Sequence, residues 1–215
     1  GLGDVYKRQV LRRMITQQRP DDGIIGEEFE ELNPQASRKW ILDPIDGTRN
    51  YLRGVPVWAT LIALLVDGEP HVGVVHAPAL GRTWWAATGH GAFTRDIDGS
   101  VRQIWASGIT ALADASFSFS DPIGKGNGLE GLYTTVARTR AYGDFWSHMM
   151  VAEGVVDIAA EPQLHPYDQA ALVPVVREAG GVMTGMDGLD LFESGSSLTT
   201  NGHLHAQVLA IIAEH

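Results

Sequence analysis

The sequence predicts an α/β (α+β) fold in which helices cover sheets, and two observations lead to this expectation. Segments with the period of a strand alternate along the chain with segments that have the period of a helix. Such interleaving is typical of layered structures, because each sheet buries its apolar faces under helices. The chain has 215 residues, of which 44% are hydrophobic and 20% charged. This is enough to bury one substantial core divided between two subdomains.

The first half of the chain consists mainly of predicted strands. A helix is predicted over residues 10–18, where apolar residues share one face, and it ends at the turn 20–23. Asp67-Gly68 is a hairpin signal between two strands. The predicted strands are residues 24–26, 40–42, 60–66, 71–77, 83–87 and 101–105. Residues 1–9 have no clear period and are interpreted as a non-native leader on an N-terminally truncated chain.

The second half alternates strands and helices more evenly. A boundary near residue 107 separates the predicted subdomains, 10–107 and 108–215. Asp144 is expected to cap a helix over 145–153, and Asp168 to open a helix that ends before Gly180. The other predicted elements are strands 115–120, 140–142, 155–160, 182–185 and 197–201, and helices 133–138 and 203–213.

Composition excludes several classes of protein. A net charge of −10 argues against non-specific binding to nucleic acid and to an anionic membrane surface. There is no cysteine, which excludes disulfides and zinc–thiolate sites, and the eight histidines lack metal-binding spacing. The longest apolar run is too short to span a bilayer, and no secretory signal is visible. We therefore expect a cytoplasmic protein that interacts with neither nucleic acid nor membranes.

The most informative segment is residues 40–48, Trp-Ile-Leu-Asp-Pro-Ile-Asp-Gly-Thr. Its apolar residues predict the end of a buried strand, and Pro44 and Gly47 then predict a tight turn. Asp43 and Asp46 lie on that turn, three positions apart. Carboxylates on a rigid support suit Mg²⁺, and a glycine lets a phosphate approach backbone N–H groups. Taken alone, the Asp-Pro-x-Asp-Gly fragment is equally consistent with a solvated turn.

Three segments in order resemble the inositol monophosphatase family of Mg²⁺-dependent phosphomonoesterases. They are Gly26-Glu27-Glu28, residues 43–48 and Pro166-Tyr167-Asp168-Gln169-Ala170. The resemblance covers nearly the whole chain and implies a layered α/β/α/β/α sandwich. It also implies two or three Mg²⁺ ions, which bridge the substrate phosphate, activate the attacking water and stabilise the leaving group. The ligands that it implies are Glu27, Asp43, the Ile45 carbonyl, Asp46 and Asp168.

The resemblance gives further roles to individual residues. Glu27 and Thr48 orient the attacking water, and the Gly47 and Thr48 N–H groups bind the phosphate. The other implied substrate contacts are Asp46, Arg49, Arg140, Asp144, Glu161 and Asp168. Several of these residues have a structural alternative: Asp168 and Asp144 as helix caps, Arg140 as a structural residue, and Arg49 as a surface residue.

Within the family, residues 48–60, 138–147 and 151–162 are most similar to the histidinol-phosphatase branch. Asp144 follows Gly143, where the inositol branch tends to carry small residues, and an acid suits a substrate with an ammonium and an imidazole. The expected reaction converts L-histidinol phosphate and water to L-histidinol and phosphate. The alternatives are a phosphatase for inositol or another small polyol phosphate, and a regulatory binding protein of the same fold. The family resemblance is also compatible with a homodimer.

Overall fold

The structure is a computed structural model, and it describes residues 2–26, 29–120, 128–189 and 191–214. The described elements form two sheets, one of eight strands and one of five. All strands of the first sheet lie before residue 105, and all strands of the second lie after residue 115. None of the described helices is long and apolar enough to cross a membrane.

The first sheet has the strand order β2-β1-β3-β4-β5-β6-β7-β8. Only β1 and β3 are parallel, and the other neighbours are antiparallel, as consecutive hairpins require. Burial alternates strictly along β4, which is why its sequence predicts a strand so clearly. The strands are β1 Gly23–Gly26, β2 Phe29–Leu32, β3 Arg38–Asp46, β4 Ala59–Val66, β5 Glu69–Ala77, β6 Arg82–Ala87, β7 Ala92–Arg95 and β8 Val101–Ile104.

The second sheet is shorter and mixed, with the order β10-β9-β11-β13-β12. The first three strands in this order are parallel, and β13 is antiparallel to both of its neighbours. The strands are β9 Ser116–Ser118, β10 Arg138–Arg140, β11 Ile158–Glu161, β12 Val182–Thr184 and β13 Ser197–Thr200.

The helices complete a layered structure. They are α1 Leu2–Gln18, α2 Thr48–Leu52, α3 Glu130–Thr135, α4 Asp144–Ala152, α5 Pro166–Gln169, α6 Leu172–Glu178, α7 Leu191–Ser194 and α8 His205–Ala213. Helices α4 and α6 lie between the sheets, since α6 packs on β5, β6 and β12, while α4 packs on β11 and β13. Helix α1 contacts β3, and α3 and α8 pack together over the other face of the second sheet. This arrangement confirms the predicted α/β/α/β/α sandwich.

The two largest of the three hydrophobic cores among the described residues follow from these layers. The larger one lies between the first sheet and helices α4 and α6, and includes Trp84, Phe145 and Val175. The smaller one lies between the second sheet and helices α3 and α8, and includes Phe117 and Leu132. The layer between the sheets therefore rests on an apolar surface of the first sheet, and it carries residues of the candidate site towards that sheet.

The structure corrects several predicted boundaries. Helix α1 begins at Leu2, eight residues before its predicted start. The division of the chain into a leader and two subdomains stays a prediction. Strand β3 continues through Pro44 to Asp46, although proline was expected to end it. The predicted helix 168–179 is two helices, α5 and α6. Strands β2 and β7 and the short helices α2 and α7 were not predicted, because four or five residues carry little periodic signal.

Candidate active site

The candidate site begins at the carboxyl end of β3, which carries Asp43 and Asp46. Both residues are buried, with 4% and 7% of their surfaces exposed. A spacing of three would place them on opposite faces of a regular strand, because successive side chains alternate. The pairing with β4 is irregular here, since Asp43 pairs with Leu61 and Asp46 with Ala59. The extra residue in β3 resets the alternation and lets both carboxylates face the same side.

Hydrogen bonds to three successive residues hold this irregular segment in shape. The Ile45 N–H donates to Asp43 Oδ1 over 2.9 Å. The Thr60 hydroxyl on β4 donates to the Pro44 carbonyl over 2.9 Å. The Thr48 hydroxyl donates to the Ile45 carbonyl over 2.8 Å. The backbone that carries the two carboxylates is therefore held by hydrogen bonds from β4 and from the first residue of α2.

The third carboxylate, Asp168, belongs to α5 in the layer between the sheets. Its Oδ2 accepts the His165 N–H over 2.8 Å, so His165 is the N-cap and Asp168 is the third helical residue. The prediction that Asp168 opens the helix is therefore wrong in position, although its carboxylate does bind a helix-terminal N–H. Carboxylate oxygens of Asp43, Asp46 and Asp168 lie within 4.8 Å of one another. We call these three residues the carboxylate cluster.

A close backbone contact sets how near α5 lies to the first sheet. A Cβ on Gly73 of β5 would lie 2.1 Å from the carbonyl oxygen of Ala171, between α5 and α6. Only glycine permits such an approach, because any other side chain would push the two backbones apart. The Gly73 contact therefore helps to bring Asp168 within reach of the carboxylates on β3.

Burial and crowding make negative charge unfavourable in the carboxylate cluster. The pKa of Asp46 is raised well above its usual value, first by burial and then by the carboxylates of Asp43, Asp144 and Asp168. The Phe145 N–H donates to Asp46 Oδ2 over 3.0 Å and partly opposes this shift. Burial also raises the pKa of Asp168. Three converging carboxylates can hold a metal ion, and their oxygens are the ligands that hard cations such as Mg²⁺ prefer.

Comparison with known proteins agrees with this geometry. The sequence profile of the inositol monophosphatase family matches residues 5–215. The chain belongs to the inositol monophosphatase family. A solved structure of inositol monophosphatase from Anabaena (Nostoc) sp. superposes with a TM-score of 0.89 at 28% identity, covering 98% of this chain and 86% of that chain. The family and fold predicted from the sequence are thereby confirmed.

Two family relatives are similar in sequence over nearly the whole chain. A histidinol-phosphatase from Mycobacterium tuberculosis is 54% identical over 205 residues, which are 93% of this chain and 78% of the relative. A histidinol-phosphatase from Streptomyces coelicolor is 47% identical over 218 residues, covering 97% of this chain and 82% of the relative. Together with the family match, these relatives identify the chain as a phosphoric monoester hydrolase.

The stretch predicted to bind phosphate follows β3 directly. Gly47 adopts φ = 77°, and a Cβ there would lie 2.8 Å from the Val57 carbonyl oxygen, so this position requires glycine. Thr48 begins α2 next to the carboxylate cluster, and Arg49 is exposed on the same helix. Glu27, the predicted metal ligand and catalytic residue of this inositol monophosphatase family member, lies outside the described residues.

Two of the acids predicted to contact substrate, Asp144 and Glu161, are connected by hydrogen bonds through Ser120. Asp144 is the first residue of α4, with φ = 47°, and the predicted capping role is wrong because Gly143 is the N-cap. Asn50 Nδ2 donates to Asp144 Oδ2 over 2.7 Å. The Ser120 hydroxyl accepts the Asp144 N–H over 2.5 Å and donates to Glu161 Oε1. Both acids therefore lie in one network, which we call the acid network.

Arg140 is placed differently from the other predicted substrate contacts. It lies on β10, at the edge of the second sheet, with an exposed side chain. Its guanidinium donates to the Thr139 carbonyl over 2.7 Å. Among the described residues it makes no bond to the carboxylate cluster, so its contact with substrate stays a prediction.

Sequence reasoning missed Asn50 and Ser120. Asn50 follows the phosphate-binding stretch by two positions, and Ser120 follows the carboxyl end of β9 by two. Polar residues just beyond strand ends often face a ligand cleft in α/β proteins, and this was the available signal for Ser120. No local signal pairs Asn50 with Asp144, because 94 positions separate them.

Proposed function

We propose that this protein is a Mg²⁺-dependent histidinol-phosphatase that converts L-histidinol phosphate and water to L-histidinol and phosphate, a step of histidine biosynthesis. The observation that carries the proposal is the convergence of Asp43, Asp46 and Asp168 within 4.8 Å. The identity of 54% to a histidinol-phosphatase supports the substrate, since the inositol monophosphatase compared above is only 28% identical.

The residues of the site fit divalent cations. The raised pKa of Asp46 reflects carboxylates that repel one another in a buried place, and bound cations would relieve that repulsion. Asp43, Asp46 and Asp168 would supply carboxylate oxygens, together with the Ile45 carbonyl and Glu27, to two or three Mg²⁺ ions. When bound, these ions would polarise the phosphate and lower the pKa of a water.

The chain's own groups would position the phosphate and the water. The Gly47 and Thr48 N–H groups would donate to phosphate oxygens, and the absence of a side chain at Gly47 leaves room for that approach. Thr48 and Glu27 would orient the attacking water in line with the ester bond. Positioning and electrostatics dominate phosphoryl transfer, so little further acid–base chemistry is required of the side chains.

Recognition of the rest of the substrate would come from charged groups near the carboxylate cluster and the phosphate-binding stretch. Asp144 and Glu161 would attract the cationic end of L-histidinol phosphate, and their connection through Ser120 supports a shared role. Arg49 and Arg140 are the remaining proposed contacts, and both are exposed to solvent. A neutral polyol phosphate would gain less from two carboxylates, which is why it is the second choice.

The test is phosphate release from a small panel of esters, with Mg²⁺ and with EDTA. Faster release from L-histidinol phosphate than from inositol phosphate, abolished by EDTA, is the expected result. The opposite preference would replace the proposed substrate with a polyol phosphate. No Mg²⁺-dependent release from any ester would favour a regulatory binding protein of the same fold.

We also propose that the protein is cytoplasmic and acts on a small phosphate ester as a homodimer. The net charge of −10 agrees with a protein that avoids nucleic acid and anionic membranes. Light scattering on the purified chain tests the oligomeric state, because a mass near 23.3 kDa would show a monomer.

A further inference from the structure

The acid network connects elements from the two halves of the chain. Asn50 lies on α2 after the phosphate-binding stretch, and Asp144 begins α4 between the sheets. Ser120 follows β9, and Glu161 ends β11, so both come from the second sheet. The network therefore fixes two acids of the second half relative to the phosphate-binding stretch of the first half.

The direction of each bond follows from the groups involved. A backbone N–H can only donate, so the Ser120 oxygen must accept from Asp144. The single hydroxyl hydrogen of Ser120 is then left for Glu161, which accepts it as a carboxylate. Glu161 is only 5% exposed, and a buried carboxylate needs such a donor to stay charged. Ser120 therefore orients Asp144 and stabilises the charge of Glu161 at the same time.

Asp144 has a backbone conformation that needs support. Its φ of 47° lies in the left-handed region, which is uncommon for a residue other than glycine and tends to occur at functional sites. Ser120 holds its N–H and Asn50 holds its carboxylate. The carboxylate faces the phosphate-binding stretch, since a Cβ on Gly47 would lie 3.3 Å from Asp144 Oδ2.

We propose that Ser120 and Asn50 are positioning residues that set the preference of the site for a cationic phosphate ester. They hold the carboxylates of Asp144 and Glu161 so that both act on the cationic end of the substrate. The inference rests on the proposed function, because only a substrate with an ammonium or imidazolium group would interact favourably with both carboxylates. A neutral ester would lose far less when the arrangement is disturbed.

The experiment compares two substitutions at one position. Ser120→Ala removes both hydrogen bonds, and Ser120→Thr keeps the hydroxyl. We expect Ser120→Ala to lower kcat/KM for L-histidinol phosphate about tenfold, mainly by raising KM. The reason is that the loss of a hydrogen bond to a charged group weakens an interaction by a factor of about ten or more. The same constant for myo-inositol 1-phosphate should change about twofold or less. Ser120→Thr should restore most of the ratio between the two esters.

Ser118→Ala is the matched control. The Ser118 hydroxyl lies two positions earlier, bonds to the Ser147 hydroxyl over 2.7 Å and accepts the Tyr142 N–H over 3.3 Å. Among the described residues it makes no hydrogen bond to a member of the acid network. Its loss should lower the melting temperature and leave the ratio between the esters unchanged. Asn50→Ala gives a second, independent route to disturb Asp144, so a misfolded Ser120 variant does not prevent the test.

The outcomes separate this inference from the proposed function. A preference of the unmodified enzyme for myo-inositol 1-phosphate would overturn both. A normal preference for L-histidinol phosphate that Ser120→Ala and Asn50→Ala leave unchanged would overturn the positioning role alone. Loss of preference in both variants, with recovery in Ser120→Thr, would support it.

Discussion

Two buried groups of carboxylates in this protein have opposite balances of charge. In the carboxylate cluster, the main influences on Asp46 are burial and three other acids, and its pKa is raised. Around Glu153, after the end of α4, the acid is surrounded by cations and donors. The Glu153 side chain is 3% exposed, and it binds Arg82 Nη2 over 2.9 Å and Trp84 Nε1 over 2.7 Å.

Arg102 and Asp96 complete this second group, which we call the Glu153 group. Arg102 donates both to Glu153 and, over 3.0 Å, to Asp96. Asp96 also pairs with Arg82 over 2.5 Å. Two acids and two arginines therefore balance, and the bonds of Glu153 join the end of α4 to β6 and β8 of the first sheet.

The difference between the two groups separates stability from function. The Glu153 group satisfies its own charges, so it anchors the helix layer to the first sheet without any ligand. The carboxylate cluster concentrates like charges, which costs stability in the absence of a cation and prepares a binding site. Substitutions in the two groups should accordingly have opposite effects on stability.

The largest expected effect is the loss of activity in Asp46→Asn. The substitution removes a proposed metal ligand at the centre of the carboxylate cluster, so we expect kcat/KM to fall at least about 1,000-fold. The asparagine carbonyl can still accept the Phe145 N–H, and repulsion is relieved, so the metal-free melting temperature should rise. Turnover equal to that of the unmodified enzyme would contradict the metal-binding role. Asp43→Asn should behave in the same way.

The second effect is a loss of stability in Glu153→Ala. Removing one partner of a buried ion pair leaves the other charges uncompensated, and we expect the free energy of unfolding to fall by about 3–5 kcal/mol. Urea denaturation at neutral pH measures this change. If Glu153→Ala were as stable as the unmodified protein, the Glu153 group would not anchor α4.

The third effect concerns pH and a buried histidine that has no charged partner among the described residues. His148 on α4 is 1% exposed, its Nδ1 lies 2.8 Å from the Thr199 hydroxyl, and burial lowers its pKa to about 4. The folded protein therefore holds His148 neutral while the unfolded chain binds a proton below pH 6.5. The stability contributed by His148 is complete above pH 6.5 and is lost as the pH falls towards 4, by up to about 3 kcal/mol.

The measurement for His148 needs a background without the opposing titration of Asp46. Because the pKa of Asp46 is raised, the folded protein binds more protons than the unfolded chain as the pH falls. This titration increases the free energy of unfolding at low pH, whereas the titration of His148 decreases it. Unfolding of Asp46→Asn should therefore be followed by urea between pH 7 and pH 4, with and without His148→Gln. If the free energy of unfolding fell equally steeply with pH in the two proteins, His148 would not be the cause of the acid sensitivity.

The smallest expected effect is at the exposed edge of the Glu153 group. The Arg102 side chain is 47% exposed, so water screens its pairs with Glu153 and Asp96. We expect Arg102→Ala to lower the free energy of unfolding by about 1 kcal/mol or less. A loss as large as that of Glu153→Ala would mean that burial does not decide which charges of the group matter.

Much of the fold was predictable where a period is regular. Strands β4, β5 and β6 were located to within two residues, because burial alternates along them. Strand β3 was predicted too short, because Pro44 was expected to end it. The strand instead continues to Asp46 through the irregular register between Asp43 and Asp46. Asp168 and Asp144 were assigned the wrong helix positions, because helix ends are set by backbone geometry that single residues do not fix.

Residues of the candidate site were predictable from the sequence only where they belong to a recognised motif. Asp43, Asp46 and Asp168 were found through their motifs, and the structure brings them together although 122 positions separate Asp46 from Asp168. The Glu153 group was missed because the bonds of Glu153 join residues 51–71 positions apart and belong to no motif. Ser120 and Asn50 were missed for the same reason.

The most direct test of the carboxylate cluster as a metal site is phosphate release from L-histidinol phosphate as the Mg²⁺ concentration is raised, for the unmodified protein and for Asp168→Asn. Asp168 joins the site from the helix layer, so its loss should remove a ligand while β3 stays intact. We expect saturable Mg²⁺-dependent release by the unmodified protein, and release reduced at least about 100-fold in Asp168→Asn at every Mg²⁺ concentration. Equal Mg²⁺ curves for the two proteins would contradict the carboxylate cluster as the catalytic metal site.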